Sequence, residues 1–167
     1  MGVNVNDFDK ALAFTLKWEG GDKITNDPDD AGGLTKWGIS QKAYPGLDIV
    51  GLTYEQAADI YKRDYWLAGG CDAMPFPVNM VHFDARVNHR PSSANKMLQR
   101  AAGVKDDGII GPQTLSGIMS MDPHLLAIAQ ITERNKYYHA IVESNASQAK
   151  YLRGWLNRTG DLMKEIG

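Results

Sequence analysis

Apolar positions along the chain fall mostly on helical spacing. Phe8, Ala11, Leu12, Thr15 and Leu16 form one stripe, which predicts a first helix over about Asp7 to Trp18 capped by Asn6 or Asp7. Glu19 is the next position on that stripe, roughly 20° from Phe8 around the axis. Gly20 and Gly21 then stop the helix, because glycine suits the left-handed position beyond a C-terminus. Residues 20–40 read as loop and turn, with one short strand or hairpin near 34–40. Thr53-Tyr54-Glu55-Gln56 is a capping box that opens a helix through Tyr65. Val78 to Asn88 is apolar around most of its circumference, as in a buried central helix. Ser92 or Ser93 is expected to cap a helix ending at Ala102. Pro112 opens a short helix, Asp122-Pro123 opens the longest, to about Glu143, and a last helix spans about Gln148 to Lys164. The pattern predicts an all-α, mainly helical fold without internal repeats or linkers.

Polar residues at inward positions carry the candidate chemistry. Glu19 ends an amphipathic helix, faces the apolar interior and is followed by a flexible acidic loop. An unpaired carboxyl in that place has its pKa raised by desolvation, as a general acid requires. Asp84 and Asn88 lie four residues apart on the central helix and share a face. They line a cleft or brace the 20–40 loop, two readings of equal standing. Trp37, on the glycine loop, is the best placed of the aromatic residues to meet a ligand.

Composition narrows the function classes. A net charge of −2 argues against nucleic-acid binding, and Lys150, Arg153 and Arg158 read as a solvated helix face. The single cysteine, Cys71, excludes an intrachain disulfide. No stretch has the length and hydropathy of a signal peptide or membrane span, so membrane insertion is not expected. The acidic run 27–38 fails as a calcium loop: Ala31 fills the fifth ligand position and Gly38 the twelfth. No metal or other cofactor is expected.

The run Glu19-Gly20-Gly21 followed by Asn26-Asp27-Pro28-Asp29-Asp30-Ala31-Gly32-Gly33-Leu34-Thr35-Lys36-Trp37-Gly38-Ile39-Ser40 resembles glycoside hydrolase family 108. These are phage and bacterial N-acetylmuramidases with a lysozyme-like helical fold. Phe83-Asp84-Ala85-Arg86-Val87-Asn88 fits the same pattern. Leu98 to Gly103, Asp107 to Leu115 and Gly154-Trp155-Leu156-Asn157-Arg158 resemble the predicted peptidoglycan-binding region of such proteins. The resemblance implies cleavage of the β-1,4 bond between N-acetylmuramic acid and N-acetylglucosamine, with Glu19 as the catalytic acid. Asp30 matches the second acid and Thr35 the threonine beyond the glycine pair. Asp29, also a substrate-binding candidate, shares the spacing to threonine found in phage lysozymes, so both aspartates stay open for the second role. The implied organisation is a catalytic part over 1–90 and a peptidoglycan-binding part over 91–167, packed as one compact unit. Peptidoglycan glycan strands are the expected partner of a monomeric endolysin that waits in the host cytoplasm for a holin pore. The alternatives are a non-catalytic wall-binding or secretion accessory protein, a zinc amidase, or a peptidase using Cys71.

Overall fold

The computed structural model describes residues 6–29 and 32–167. Helix α1 (Asp7–Trp18) begins where the Asn6 side chain accepts the backbone N–H of Asp9 at 2.8 Å. Asp7 and Asp9 in its first turn and Lys17 in its last complement the helix dipole. Its buried face holds the expected stripe, and Phe14 is buried as well.

Three short strands follow: β1 (Thr25–Asn26), β2 (Leu34–Lys36) and β3 (Ile39–Ser40), paired antiparallel in that order. The single short strand or hairpin foreseen at 34–40 is thus joined by a third strand at 25–26. Lys36 pairs with Ile39, leaving Trp37 and Gly38 as a two-residue turn. Both have positive φ, 54° and 71°, the signature of a type I′ hairpin turn.

Helix α2 (Tyr54–Tyr61) carries the full capping box. It does not continue as α-helix to Tyr65 but widens into a π-helical stretch, Lys62–Leu67, which buries Trp66. A 3-10 turn at Cys71–Ala73 leads to α3 (Val78–Asn88), which is buried without a break from Val78 to Arg86. Helix α4 runs Pro91–Ala101. It starts one residue ahead of the serines expected to cap it, because Pro91 takes the first-turn position that proline favours. Helices α5 (Pro112–Met119), α6 (Pro123–Ser144) and α7 (Ala149–Glu165) complete the chain.

Helix α3 packs against α1 on one side and against α4 and α6 on others. The main core joins Phe8, Leu12, Trp66 and Phe83 to Ala127 and Ile131 of α6, Leu162 of α7 and Ile166 at its C-cap. Phe8, Trp66 and Phe83 meet edge to face, with centroids 5.5–5.9 Å apart. A smaller cluster of Met74, Val78, Leu98, Ile118 and Leu126 fills the space beneath α4 and α5. Inside this half, the buried Gln99 amide donates to Asp107, Ile109 and Thr114 and accepts from the Gly108 N–H, holding the 106–111 loop.

Candidate active site

Glu19 occupies the C-cap of α1, where its backbone N–H bonds Thr15 and Leu16 carbonyls. The β2–β3 turn lies directly over it. A Cβ added at Gly38 would stand 3.0 Å from the Glu19 Cβ and would collide with the Tyr61 hydroxyl. That hydroxyl donates to the Trp37 carbonyl at 2.7 Å, and the Trp37 N–H donates to the Gly21 carbonyl at 3.1 Å. The turn is therefore bolted both to α2 and to the end of α1. Burial, reinforced by the nearby Glu19 charge, pushes the Tyr61 phenol far up, so it remains a neutral donor.

The Glu19 carboxylate is not the unpaired group expected from helical phase. Its Oε1 accepts Nη1 of Arg158 at 2.8 Å, and its side chain keeps 26% of its surface exposed. Arg158 itself is buried, which corrects its reading as part of a solvated face. Helical spacing did not expose this, because its partners lie across the molecule: its other nitrogens, Nε and Nη2, fork onto Asp84 at 3.1 and 2.7 Å. Burial lowers the arginine's proton affinity, but the carboxylates of Asp84 and Glu19 outweigh it and raise it.

Asp84 has no exposed surface. Besides Arg158 it accepts the Thr15 hydroxyl at 2.9 Å and Nη1 of Arg134 at 2.7 Å. Burial alone would raise its pKa; Arg134 and Arg158 overcome that and hold it down at about 2. Asn88 accepts from Arg134 at 3.1 Å and from the Tyr138 hydroxyl at 2.6 Å. Asp84 is fully buried and the Asn88 oxygen is engaged from α6; the bonds of both run to α1, α6 and α7, not to the 20–40 loop. Glu19, Arg158, Asp84 and Arg134 form a charge-balanced chain of two acids and two bases, with Glu19 at its open end.

The remaining candidates sit on the sheet side. Thr35 pairs with Thr25 across β1–β2, and its hydroxyl donates to the Gly33 carbonyl at 3.1 Å, bracing its own turn. Asp29 is exposed, with its N–H on the Asp27 carboxylate at 2.9 Å. Asp30 lies outside the described residues. Trp37 is half-buried, its indole N–H on the Leu52 carbonyl at 3.3 Å and its ring edge-on to Tyr54. Cys71 is fully buried and burial pushes its thiol up to about 12, the reverse of an activated nucleophile. His82 is buried, and burial holds its pKa down to about 3. Among the described residues no group of three or more His, Cys, Asp or Glu side chains is placed to hold a metal ion.

The glycosyl hydrolase 108 family model matches residues 12–89, the segment that carries Glu19, the hairpin and Asp84. Residues 12–89 thus belong to the glycosyl hydrolase 108 family. A second family model, the predicted peptidoglycan domain, matches residues 93–160, the segment that carries Arg134, Tyr138 and Arg158. Among solved structures, SagA of Brucella abortus is similar, with a TM-score of 0.79 and 28% identity over 95% of this chain and 92% of that one. Curated proteins yield no match. With both matches, the chain is a glycoside hydrolase that acts on peptidoglycan.

Proposed function

We propose that the protein is an N-acetylmuramidase in which Glu19 is the general acid. The observation that supports this reading is the position of Glu19 at the open end of the ion-pair chain, under the hairpin turn. It is the one acid of that chain with solvent-facing surface. Cleavage needs a proton on the leaving glycosidic oxygen and a second carboxylate on the opposite face of the sugar. Glu19 supplies the proton. The acidic loop ahead of β2 supplies the second group, Asp30 or Asp29, which steadies the oxocarbenium-like charge or activates water. Thr35 stiffens that loop, and the half-exposed ring of Trp37 offers a face to a sugar.

Mass spectrometry of digested peptidoglycan tests the bond. Fragments ending in reducing N-acetylmuramic acid are expected, whereas reducing N-acetylglucosamine ends or freed stem peptides overturn the assignment. Glu19→Gln should keep the fold and sedimentation with sacculi yet lose about 10²-fold or more in turnover. Near-wild-type lysis by that variant would sink the acid role, and wall binding without any release of reducing sugar by wild type would favour an accessory protein. The same reading makes the protein a monomeric endolysin, held in the host cytoplasm until a holin pore admits it to the wall. Co-expression with and without a holin checks this, and prompt lysis without one contradicts it.

A further inference from the structure

The two matched regions meet at Glu19. Arg158 lies on α7, within the predicted peptidoglycan domain match, yet its Nη1 reaches the carboxylate at the end of α1. The contact is seated by its neighbours. One residue before Glu19, Trp18 donates its indole N–H to Asp161 at 2.9 Å, and Lys17 reaches the same oxygen at 3.0 Å. Residues 158 and 161 share a face of α7, so consecutive residues at the end of α1 grip one side of that helix. Thr159, also buried, locks α7 to α6 through Asn135 at 2.7 Å.

We propose that Arg158 is a positioning residue of the Glu19 site and that Asp84 sets how much of its charge reaches Glu19. The region matching a predicted peptidoglycan domain is then part of the active site and not a detachable wall anchor. This inference rests on Glu19 being the general acid.

The fork geometry carries the argument. Arg158 spends Nε and Nη2 on Asp84, leaving one nitrogen, Nη1, to orient Glu19. A planar guanidinium holds two carboxylates at fixed angles, which a lysine point charge does not. A cation beside a general acid opposes the protonated form it must adopt before donating. Asp84 shares the same guanidinium and offsets part of its charge, while Nη1 still orients Glu19. Arg134 shares Asp84 from the far side and limits that offset. Uncharged groups also face Glu19: Tyr61 on α2, Tyr65 on the π-helical stretch, whose phenol is pushed up by burial, and Gly38 in the turn, while the loop that carries the exposed Asp29 is the charged element on the sheet side. Behind the chain, burial holds His89 neutral, its pKa near 3.

The test measures reducing-end release from solubilised glycan strands against pH, with circular dichroism melts, for the full-length protein. Wild type is compared with Arg158→Gln, Arg158→Lys, Asp84→Asn and Glu19→Gln. Arg158→Gln should move the alkaline limb of kcat about one pH unit upward, because the acid loses its cation. Asp84→Asn should move it downward by a similar step, because Arg158 then serves Glu19 with less competition. Arg158→Lys keeps the charge but loses the fork, so kcat should fall about tenfold with KM nearly unchanged and the limb in place. Unmoved limbs in folded Arg158→Gln and Asp84→Asn overturn the inference, as does wild-type kcat in Arg158→Lys. The lysine variant preserves core charge and decides the matter if the other two unfold. Activity surviving in Glu19→Gln removes the muramidase reading itself, whereas an inactive Glu19→Gln with unmoved limbs removes only the role of Arg158.

Discussion

Gly38 has no room for a side chain. Its φ of 71° disfavours any L side chain, and its missing Cβ leaves the space that the Tyr61 hydroxyl and the Glu19 Cβ occupy. Gly38→Ala should therefore cost about 2 kcal/mol or more of stability and at least tenfold in activity, because the turn must lift off Glu19. Urea melts and lysis rates check both; an alanine variant with wild-type values would mean that the turn is not seated as described. His82 is informative in another way. It is buried with Nδ1 unpartnered, and burial, then the nearby Arg86, holds its pKa to about 3. The native state thus keeps it neutral while the unfolded chain protonates it below about pH 6.5. Its contribution is intact above pH 6.5 and is lost as pH falls toward 3, by about 1.4 kcal/mol per pH unit. The stability gap between wild type and His82→Asn should narrow with that slope between pH 6 and 4; a pH-independent gap contradicts a neutral buried imidazole.

At the scale of elements, the helices were legible where an apolar stripe coincided with a cap. The α1 stripe and the Thr53 box are such cases, and in the box Gln56 N–H meets Thr53 Oγ1 at 3.2 Å while Thr53 N–H meets Gln56 Oε1 at 2.9 Å. Thr53→Ala should cost about 1 kcal/mol with unchanged activity per folded molecule, since the Thr53 hydroxyl serves the Gln56 N–H of its own helix start. A thermal melt beside a lysis assay reads both. The hairpin was harder to read, because a type I′ turn normally advertises itself with Asn-Gly or Asp-Gly. Here Trp37 takes the first left-handed position, held by Tyr61 and Leu52 contacts that are non-local in sequence. Strand β1, two residues long, has no period to detect. The polar residues of α3 could be recognised as buried, but not their partners: Asp84 finds its cations 50 and 74 positions downstream. Glu19 was legible as an inward acid, and its arginine, 139 positions away, was not.

Across the whole molecule, one core serves both matched regions. Phe8, Leu12 and Phe83 share a cluster with Ile131, Leu162 and Ile166, and α3 is covered from both halves. Urea unfolding should accordingly be one cooperative transition, with tryptophan fluorescence and far-ultraviolet dichroism coinciding. Two separated transitions would show that the regions fold on their own. The buried ion pairs add a requirement of composition, since removing one partner strands the other's charge in a low-dielectric interior. Asp84 is tolerated at full burial because α6 and α7 bring Arg134 and Arg158 to it.

That dependence constrains how such a chain can diversify. A chimera joined near residue 90 to an unrelated wall-binding cassette would discard Arg134, Tyr138 and Arg158 together, leaving Asp84 a buried anion with only the Thr15 hydroxyl of α1. Recombination that treats the two regions as interchangeable parts is thereby closed off. New wall specificity has to arise by substitution on the outward faces of α4 to α7, or by appending modules beyond α7, with the inner arginines inherited intact.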